Sequence, residues 1–280
     1  MWTLGATALF LLLGFGAPLA YCLWRLDRAP AGCVEDVVAE GRPAGPLLLC
    51  LGDSITHGHI GADWVGALRE RRPALTVVNG GVNGEMAWNV RQRLDDALSL
   101  APDAVILLIG SNDVMAADLP ARASAYERSN RLPRTPDLRW SMEQLTLLLS
   151  ELRGRCARVA VCTIPPLGED PGTPVRELVA TFNQHIQSSA QAAGIPVLDL
   201  HGALTALSPA RGQAYDGSMA TTVWAIGRAM AAHVLLGRSW DTVAEASGWA
   251  VTVDGIHLSD RGGAILRERA ERWLDSIKIT

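Results

Sequence analysis

Leu47-Leu48-Leu49-Cys50-Leu51-Gly52-Asp53-Ser54-Ile55-Thr56-His57-Gly58 joins an apolar run to a short polar loop. An uncharged run of this length that stops at a glycine is typical of a strand buried on both faces of a parallel sheet. The residues after such a strand lie at the carboxyl edge of the sheet, where open α/β folds hold their reacting groups. Ser54 is therefore a candidate nucleophile, although a serine or aspartate here could also do no more than cap a helix.

Four more apolar runs follow, at residues 75–78, 104–109, 158–164 and 195–200, and helical patterns separate them. The helices are predicted at 62–72, 86–100, 141–152, 175–193, 221–236 and 260–276. Strands that alternate with helices form βαβ units. The sequence therefore predicts a three-layer α/β/α domain with a mainly parallel, five-stranded sheet of the flavodoxin-like type. Pro196 favours an edge position for the fifth strand.

Three segments interrupt this alternation inside or just before the predicted domain, which spans residues 46–280. Residues 27–45 are rich in proline, glycine and charge and are predicted to be a linker. Residues 114–140 are predicted to be an inserted loop or lid, and residues 201–250 to carry a helical insertion. The apolar side chains of that second insertion are expected to pack in a core rather than to line a substrate groove. They are Trp224, Met230, Val234, Leu235, Trp240 and Trp249.

The amino-terminal segment differs from the rest in composition, because residues 1–24 contain no charged side chain. A bilayer span needs roughly 20 apolar residues. Residues 1–26 are therefore predicted to form one hydrophobic helix that anchors the protein in a membrane. The alternative is a signal segment whose cleavage gives a secreted protein, but no basic residue precedes the run. Arg25 and Arg28 are too few to fix the side of the membrane.

Composition narrows the range of partners and cofactors. The 280-residue chain has a formal net charge of −4 and no cluster of lysines, so a nucleic-acid partner is not expected. Its five cysteines are an odd number without CxxC spacing, which disfavours a disulfide framework and a zinc site. We expect neither a cofactor nor a metal ion.

Polar loops at 52–54, 79–84 and 110–113 follow three of the predicted strands and should open onto one edge of the sheet. A fourth polar segment, at 254–259, precedes the last predicted helix. Together they contain the groups that an acid-base hydrolase needs. These are a serine nucleophile, a histidine base, a carboxylate that orients the base, and donors for an oxyanion.

Taken singly, each loop has another interpretation. Asn79-Gly80 is typical of a turn, Asn112 could bond only to its own loop, and His257 could be a packing histidine. His57 is a competing base because it follows the serine by three residues, but no neighbouring carboxylate is placed to orient it. His57 and His59 could also bind a metal, although two histidines without carboxylates make a poor site.

In this order and combination, the loops resemble the SGNH hydrolases, also called the GDSL lipase/esterase family. The matching blocks are Gly52-Asp53-Ser54, Asn79-x-Gly81-x-x-Gly84, Gly110-x-Asn112-Asp113 and Asp254-x-x-His257. They span almost the whole predicted domain, and joint motif context is what makes such a match specific. The resemblance implies the SGNH hydrolase fold and a serine hydrolase that acts on carboxylic esters.

The resemblance also implies roles for single residues. Ser54 is implied as the nucleophile, His257 as the general base and later acid, and Asp254 as the carboxylate that orients His257. The backbone amides of Ser54 and Gly84 and the side chain of Asn112 are implied as the oxyanion hole. Glycine at 84 would let the backbone approach the ester oxygen without a Cβ between them.

Three functions are compatible with these residues. The first is hydrolysis of short acyl esters, O-acetylated glycans or lipid esters through an acyl-enzyme, with the membrane contacted through the amino-terminal helix. The second is an acyltransferase, in which an alcohol replaces water. The third is a non-catalytic, membrane-anchored binding module. The joint presence of Ser54, Asp254 and His257 argues against the third.

Overall fold

The structure is a computed structural model, and it describes residues 24, 28–170, 172–208, 215 and 217–279. At its centre is a five-stranded sheet in which every strand pairs in parallel, in the order β2-β1-β3-β4-β5. The strands are β1 (Leu47–Gly52), β2 (Thr76–Gly81), β3 (Ala104–Leu108), β4 (Val159–Cys162) and β5 (Val197–Leu198). From β1 the next strand along the chain is added on one side and β3 on the other, so the strand order reverses between β1 and β3. Ligands of open α/β sheets bind at such a switch point.

Helices cover both faces of the sheet and flank its carboxyl edge. They are α1 (Val34–Glu40), α2 (Ser54–His57), α3 (Trp64–Arg71), α4 (Ala87–Gln92), α5 (Leu94–Leu98), α6 (Ser111–Asp118), α7 (Pro120–Ser129), α8 (Leu138–Arg155), α9 (Val175–Ala193), α10 (Leu200–Thr205), α11 (Met219–Met230), α12 (Trp240–Ala246) and α13 (Asp260–Ser276). A turn of π-helix, Ala231–Leu235, extends α11. The predicted three-layer α/β/α fold is confirmed.

The alternation of side chains along β1 explains why the apolar run needs cover on two sides. Leu47, Leu49 and Leu51 belong to the core that contains residues of α8 and α9. Leu48 and Cys50 belong to the opposite core, which contains residues of α3 and α13. Successive strand residues point to opposite faces, so an uninterrupted apolar run is the pattern of a strand buried on both. The proline-containing run also lies where predicted, since β5 is an edge strand.

The segment predicted as a linker, 27–45, is partly structured. It contains α1, and Cys33 forms a parallel bridge with Asn79 beside β2. Val34 and Val37 are three residues apart on one side of α1, and both are buried in the main core. The glycines and prolines of the segment therefore surround a short helix that packs on the domain.

The predicted loop or lid at 114–140 is mostly helical. It contains most of α6, all of α7 and the start of α8. Pro120 occupies the first turn of α7, where its missing N–H costs no helical hydrogen bond. Pro120 therefore marks the start of a helix rather than a loop.

The helical insertion at 201–250 is present, but its side chains are divided between core and surface. Met230 and Trp240 are buried in a separate small core, as predicted. Trp224 is 72% exposed and Leu235 is 44% exposed, so the expectation of core packing is wrong for these two residues. Neither side chain belongs to a hydrophobic core cluster of the described residues or packs against one.

The predicted hydrophobic helix at residues 1–26 lies almost wholly outside the described residues, since of this segment only Trp24 is described. Within the described part of the chain, no helix combines the length and the apolar character that crossing a membrane requires. The four cysteines of that part, Cys33, Cys50, Cys156 and Cys162, are buried and unpaired.

Candidate active site

The position of Ser54 follows from the tight turn at the end of β1. Ser54 is the first residue of α2, and the Asp53 carboxylate caps this helix by accepting from the Ile55 amide at 3.0 Å. Gly52 has no room for a side chain, because a Cβ would collide with the Leu108 carbonyl oxygen and the Thr56 hydroxyl. The strand therefore delivers the Ser54 side chain to the switch point between β1 and β3.

Ser54, His257 and Asp254 form one continuous hydrogen-bonded chain. The Ser54 Oγ lies 2.9 Å from His257 Nε2, and His257 Nδ1 lies 2.7 Å from Asp254 Oδ2. Since a carboxylate accepts at Nδ1, that nitrogen carries the proton and Nε2 is free to accept from the serine hydroxyl. All three side chains are buried, and the sequence separates the serine from the histidine by 203 residues.

The Asp254 carboxylate and the His257 ring each favour the charged form of the other. Burial opposes ionisation of Asp254, but the adjacent imidazole and its hydrogen bonds outweigh burial and lower the pKa of Asp254. Burial also disfavours the imidazolium, but the Asp254 charge and hydrogen bond prevail and raise the pKa of His257. A histidine held in this way is a stronger base than a free imidazole.

The loop that carries Asp254 and His257 is fixed from two directions. Asp254 Oδ1 accepts from the backbone amides of Ile256 and His257 at 2.9 and 2.8 Å. Upstream, the buried carboxylate of Glu169 accepts from the backbone amides of residues 250, 251 and 252 at 2.7 to 2.9 Å. His257 and Asp254 therefore belong to a backbone segment that two buried carboxylates hold by hydrogen bonds.

Of the groups implied as an oxyanion hole, the Asn112 side chain reaches Asp53, the residue before the serine. Within the described residues, neither the Ser54 amide nor the Gly84 amide donates to a backbone carbonyl. Gly84 has a φ of +78°, a left-handed conformation in which a side chain would be strained. Asn112 is buried at the start of α6, immediately after β3. Its Nδ2 donates to the Glu85 carbonyl at 2.8 Å and has only a long 3.5 Å contact with Asp53.

Asn79 acts within its own loop and on α2. Its Oδ1 accepts from the Gly81 amide at 2.9 Å, and its Nδ2 donates to the carbonyls of Thr56 and His57 at 2.9 and 3.3 Å. The side chain thus ties the end of β2 to the helix that begins with Ser54. Asn79 is therefore a turn residue, as its pairing with Gly80 predicts, and the same side chain also links the Asn79-x-Gly81-x-x-Gly84 block to α2.

His57 does not have the contacts of His257. Its Nδ1 is buried without a hydrogen-bond partner in the described part of the chain. Burial, followed by the neighbouring His59, lowers the pKa of His57 to about 4. The two rings meet edge to face at 4.3 Å. No group of three or more His, Cys, Asp or Glu side chains is arranged as a metal site among the described residues.

Two further buried carboxylates lie near the oxyanion side. Asp113 accepts from the Ala87 amide at 3.1 Å, and Asp53 caps α2. Burial raises the pKa of each to about 7, and hydrogen bonds oppose it only in part. Unlike Asp254, neither has an imidazole or guanidinium hydrogen-bonded to it in the described structure.

A groove of about 530 Å³ opens next to Asp254. Its walls come from α11, from the end of α12 and from the segment after it, and they include Trp224, Arg228 and Trp249. The Trp249 ring also packs against Gly255, between the carboxylate and the histidine. The exposed Trp224 therefore faces a cleft at the edge of the candidate site.

The sequence from residue 50 to residue 265 matches the model of the GDSL-like Lipase/Acylhydrolase family. The chain belongs to this family. It is an ester-bond hydrolase, and the match covers most of the 280 residues and all four blocks on which the resemblance to SGNH hydrolases rested. Among curated proteins, none matches the sequence.

Solved structures with the same fold include several esterases. One is a catalytic mutant of Axe2, an acetylxylan esterase from Geobacillus stearothermophilus, with 19% identity and a TM-score of 0.55 over 84% of this chain and 96% of that one. A lipase/acylhydrolase from Enterococcus faecalis has 21% identity and a TM-score of 0.54 over 82% and 96%. LAE5, an alpha/beta hydrolase enzyme from the metagenome of Lake Arreo, Spain, has 19% identity and a TM-score of 0.56 over 84% of this chain and 98% of that one. At these identities the likeness shows the fold.

Three residues that support the site were not predicted from the sequence. Glu169 follows β4 in a loop that matches no motif, so nothing in the sequence pointed to it. Tyr126, whose hydroxyl donates to Asn112 Oδ1, and Asn130, whose Nδ2 donates to the Gly84 carbonyl, lie in the segment interpreted as a loop or lid. Their spacing of four residues is the signal that a helical interpretation of that segment would have provided, because such residues share one face of a helix.

Proposed function

We propose that this protein hydrolyses carboxylic esters through an acyl-enzyme formed on Ser54. In the first half-reaction the Ser54 oxygen attacks the ester carbonyl carbon while His257 Nε2 takes the hydroxyl proton. The tetrahedral intermediate collapses, the bond to the alcohol oxygen breaks, and the imidazolium returns the proton to the leaving alcohol. Water then repeats these steps on the acyl-enzyme and releases the acid.

The observation that carries this proposal is the Ser54–His257–Asp254 chain, with contacts of 2.9 and 2.7 Å. A serine hydroxyl is a weak nucleophile until a base accepts its proton, and such general base catalysis contributes roughly 10²–10⁴-fold. The Ser54 and Gly84 amides and the Asn112 side chain are proposed as donors to the oxyanion. Each preorganised donor of this kind contributes on the order of 10²–10³-fold.

The groove beside Asp254 is proposed to hold the non-reacting part of the substrate. Its tryptophan side chains offer flat apolar surfaces and its Arg228 a polar contact. Such surfaces suit a sugar ring or an acyl chain. The acetylxylan esterase among the structural neighbours makes O-acetylated sugars a natural member of the substrate panel.

The test is hydrolysis of 4-nitrophenyl esters from acetate to palmitate by the full chain, beside Ser54→Ala. We expect activity in the wild type and a loss of at least about 10³-fold in the variant, since the nucleophile is gone. The chain-length profile then assigns the acyl pocket as small or extended. A Ser54→Ala enzyme with undiminished turnover would disprove the acyl-enzyme mechanism.

An acyltransferase of the same fold differs only in the second half-reaction, where an alcohol replaces water. Adding glycerol or xylose to the acetate assay distinguishes the two. Hydrolysis predicts that acetate accumulates at the rate of nitrophenol release. Transfer predicts that acetylated alcohol accounts for most of the product. A folded protein that is inactive on every ester and unlabelled by a fluorophosphonate would instead support a binding module.

We also propose that residues 1–26 anchor the enzyme to a membrane. The support for this proposal is the absence of any charged side chain in residues 1–24. The full chain should sediment with membranes, and deletion of residues 1–26 should release an enzyme of the same specific activity. Cleavage of the segment from the mature protein would show secretion instead.

A further inference from the structure

Helix α7 presents three polar side chains at a spacing of four residues, and each contacts a different part of the molecule. Arg122 is 1% exposed and donates to the Thr222 hydroxyl at 2.6 Å and to the Ser218 carbonyl at 3.3 Å, at the start of α11. Tyr126 reaches Asn112, and Asn130, which ends the helix, reaches Gly84. Residues spaced by four lie on one helical face, so this face joins α11 to the oxyanion side of the site.

The contact of Tyr126 determines which way the Asn112 amide points. The Glu85 carbonyl can only accept, so the Asn112 atom 2.8 Å from it must be the NH₂ group. The Asn112 oxygen then faces Tyr126, whose hydroxyl donates to it at 2.7 Å. Burial raises the pKa of Tyr126, so the phenol remains a neutral donor throughout the working pH range. The second N–H of Asn112 is left with the long 3.5 Å contact to Asp53 and is the one available to an oxyanion.

The contact of Asn130 restrains the backbone at Gly84, whose amide is the second donor. Its Nδ2 donates to the Gly84 carbonyl at 2.9 Å. Gly84 is the residue in this loop with a left-handed φ, and a Cβ there would meet nothing within 4 Å. No neighbouring atom therefore packs against the side-chain position of Gly84 to restrain its backbone. The hydrogen bonds from Asn130 to the Gly84 carbonyl and from Asn112 to the Glu85 carbonyl restrain the two peptide units that follow the Gly84 amide, and through them the backbone conformation of Gly84.

We propose that α7 positions the oxyanion hole, with Tyr126 orienting the Asn112 amide and Asn130, through the Gly84 carbonyl, restraining the backbone that carries the Gly84 amide. The inference rests on the proposed acyl-enzyme mechanism and adds two positioning residues to it. Neither side chain is proposed to touch the substrate. Preorganisation is the basis of the effect, because donors that already point at the developing charge need no rearrangement during the reaction.

The experiment measures 4-nitrophenyl acetate hydrolysis and the rate of Ser54 phosphonylation by a fluorophosphonate. Tyr126→Phe removes one neutral hydrogen bond and keeps the ring, so we expect kcat to fall about 5- to 50-fold with little change in KM. Asn130→Ala should lower kcat about 3- to 20-fold by the same argument. Both variants should keep the pH profile of the wild type, since the base is untouched.

The decisive measurement repeats each change in an Asn112→Ala background. Tyr126 acts through Asn112, so Tyr126→Phe should cause no further loss there. Asn130 acts through Gly84, so Asn130→Ala should still slow phosphonylation of the Asn112→Ala enzyme. Contacting residues reveal themselves by this kind of non-additivity.

Two controls separate positioning from stability. Thr163→Val deletes one buried hydroxyl, bonded to the His201 amide at 2.9 Å, without changing the side-chain shape. Ser129→Ala changes the residue next to Asn130. The Ser129 hydroxyl donates within its own helix, to the Tyr126 carbonyl at 3.5 Å. Both should retain wild-type kcat, whatever they do to the melting temperature.

The outcomes are distinguishable. Wild-type kcat in Tyr126→Phe, or an equal loss in the wild-type and Asn112→Ala backgrounds, would overturn the role of Tyr126. Loss in Thr163→Val as large as in Tyr126→Phe would also overturn it, because the effect would then be general destabilisation. A wild-type protein that neither hydrolyses the ester nor reacts with the fluorophosphonate would instead overturn the proposed function itself.

Discussion

The two proposed sides of the site, the base side with Asp254 and His257 and the oxyanion side with Gly84 and Asn112, are built in different ways. On the base side, Asp254 and His257 are three residues apart, and Asp254 accepts both from the histidine ring and from the backbone amides of their shared loop. On the oxyanion side, Gly84 and Asn112 come from loops after different strands, and their orientation depends on side chains of α7. One side is local in sequence and the other is assembled from distant segments.

This difference has an electrostatic counterpart. The buried Asp254 has an imidazole as its partner, and the pKa of Asp254 is lowered. Among the described residues the buried Asp113, next to Asn112, has only neutral donors, and burial raises its pKa to about 7. On the base side the carboxylate thus has a partner that offsets the cost of its burial, whereas the oxyanion side contains a carboxylate whose ionised form burial disfavours. Substitutions on the two sides should therefore differ in their pH dependence as well as in their magnitude.

Asp254→Asn should have the largest effect, since it breaks the base side. We expect kcat to fall about 10³–10⁴-fold, because the amide no longer holds the productive tautomer or stabilises the imidazolium. His257 must be neutral to act, so wild-type kcat/KM should fall as the pH drops through the raised pKa of His257. Without the carboxylate that pKa falls, and the acid limb should move to lower pH.

A pH–rate profile of kcat/KM from pH 4 to 9 tests this, with the exposed Asp96→Asn as a charge-matched control. The control should keep both the rate and the acid limb of the wild type. An Asp254→Asn enzyme with an acid limb at the wild-type position would show that another group sets the pKa of the base.

Asn112→Ala breaks the oxyanion side and should cost less, about 10²–10³-fold in kcat. The acid limb should stay where it is in the wild type, because the Ser54–His257–Asp254 contacts do not involve Asn112. The same pH–rate measurement decides the point. A shifted limb would mean that the two sides are electrostatically coupled rather than separate.

The same contrast explains how much of the site could be predicted from the sequence. Asp254 and His257 fit one short block, and Ser54 follows a strand whose apolar run has a single interpretation. Such features depend on neighbours within a few residues. The parallel sheet that places Ser54 at its carboxyl edge follows from βαβ connections, which are also predictable, whereas the 2.9 Å contact between Ser54 and His257, 203 residues apart, was expected only from the resemblance.

The supporting residues could not be predicted in this way, because their partners are far apart in the sequence. Tyr126 contributes to the site only if 120–129 is a helix and only if that helix packs against the loop after β3. Glu169 binds a backbone segment about 80 residues downstream. Trp224 is a large apolar residue of the kind expected in a core. That it faces a groove is shown by the packing of α11 and could not be predicted from the sequence.

Asp113→Asn should affect stability rather than chemistry, and it tests the electrostatic half of the comparison. A carboxyl whose folded pKa is about 7 and whose ordinary value is 3.8 binds more protons in the folded than in the unfolded protein between these values. The free energy of unfolding should therefore fall as the pH rises from about 4 to 7. One unit of pKa corresponds to about 1.4 kcal/mol, so this group should account for a loss of about 3 kcal/mol between pH 5 and pH 8.

Asn at position 113 cannot ionise, so the variant should lose less stability than the wild type over this interval, as measured by urea unfolding at pH 5 and pH 8. Part of the loss should remain, because burial also raises the pKa of Asp53 to about 7. Asp254 should contribute to the pH dependence of the free energy of unfolding with the opposite sign, and Asp254→Asn should remove that contribution. Its lowered pKa stabilises the folded protein above the ordinary aspartate value, and that stabilisation is lost as the pH falls through the folded pKa. If Asp113→Asn had the same pH dependence as the wild type, the oxyanion side would bear no electrostatic cost, and only connectivity would separate it from the base side.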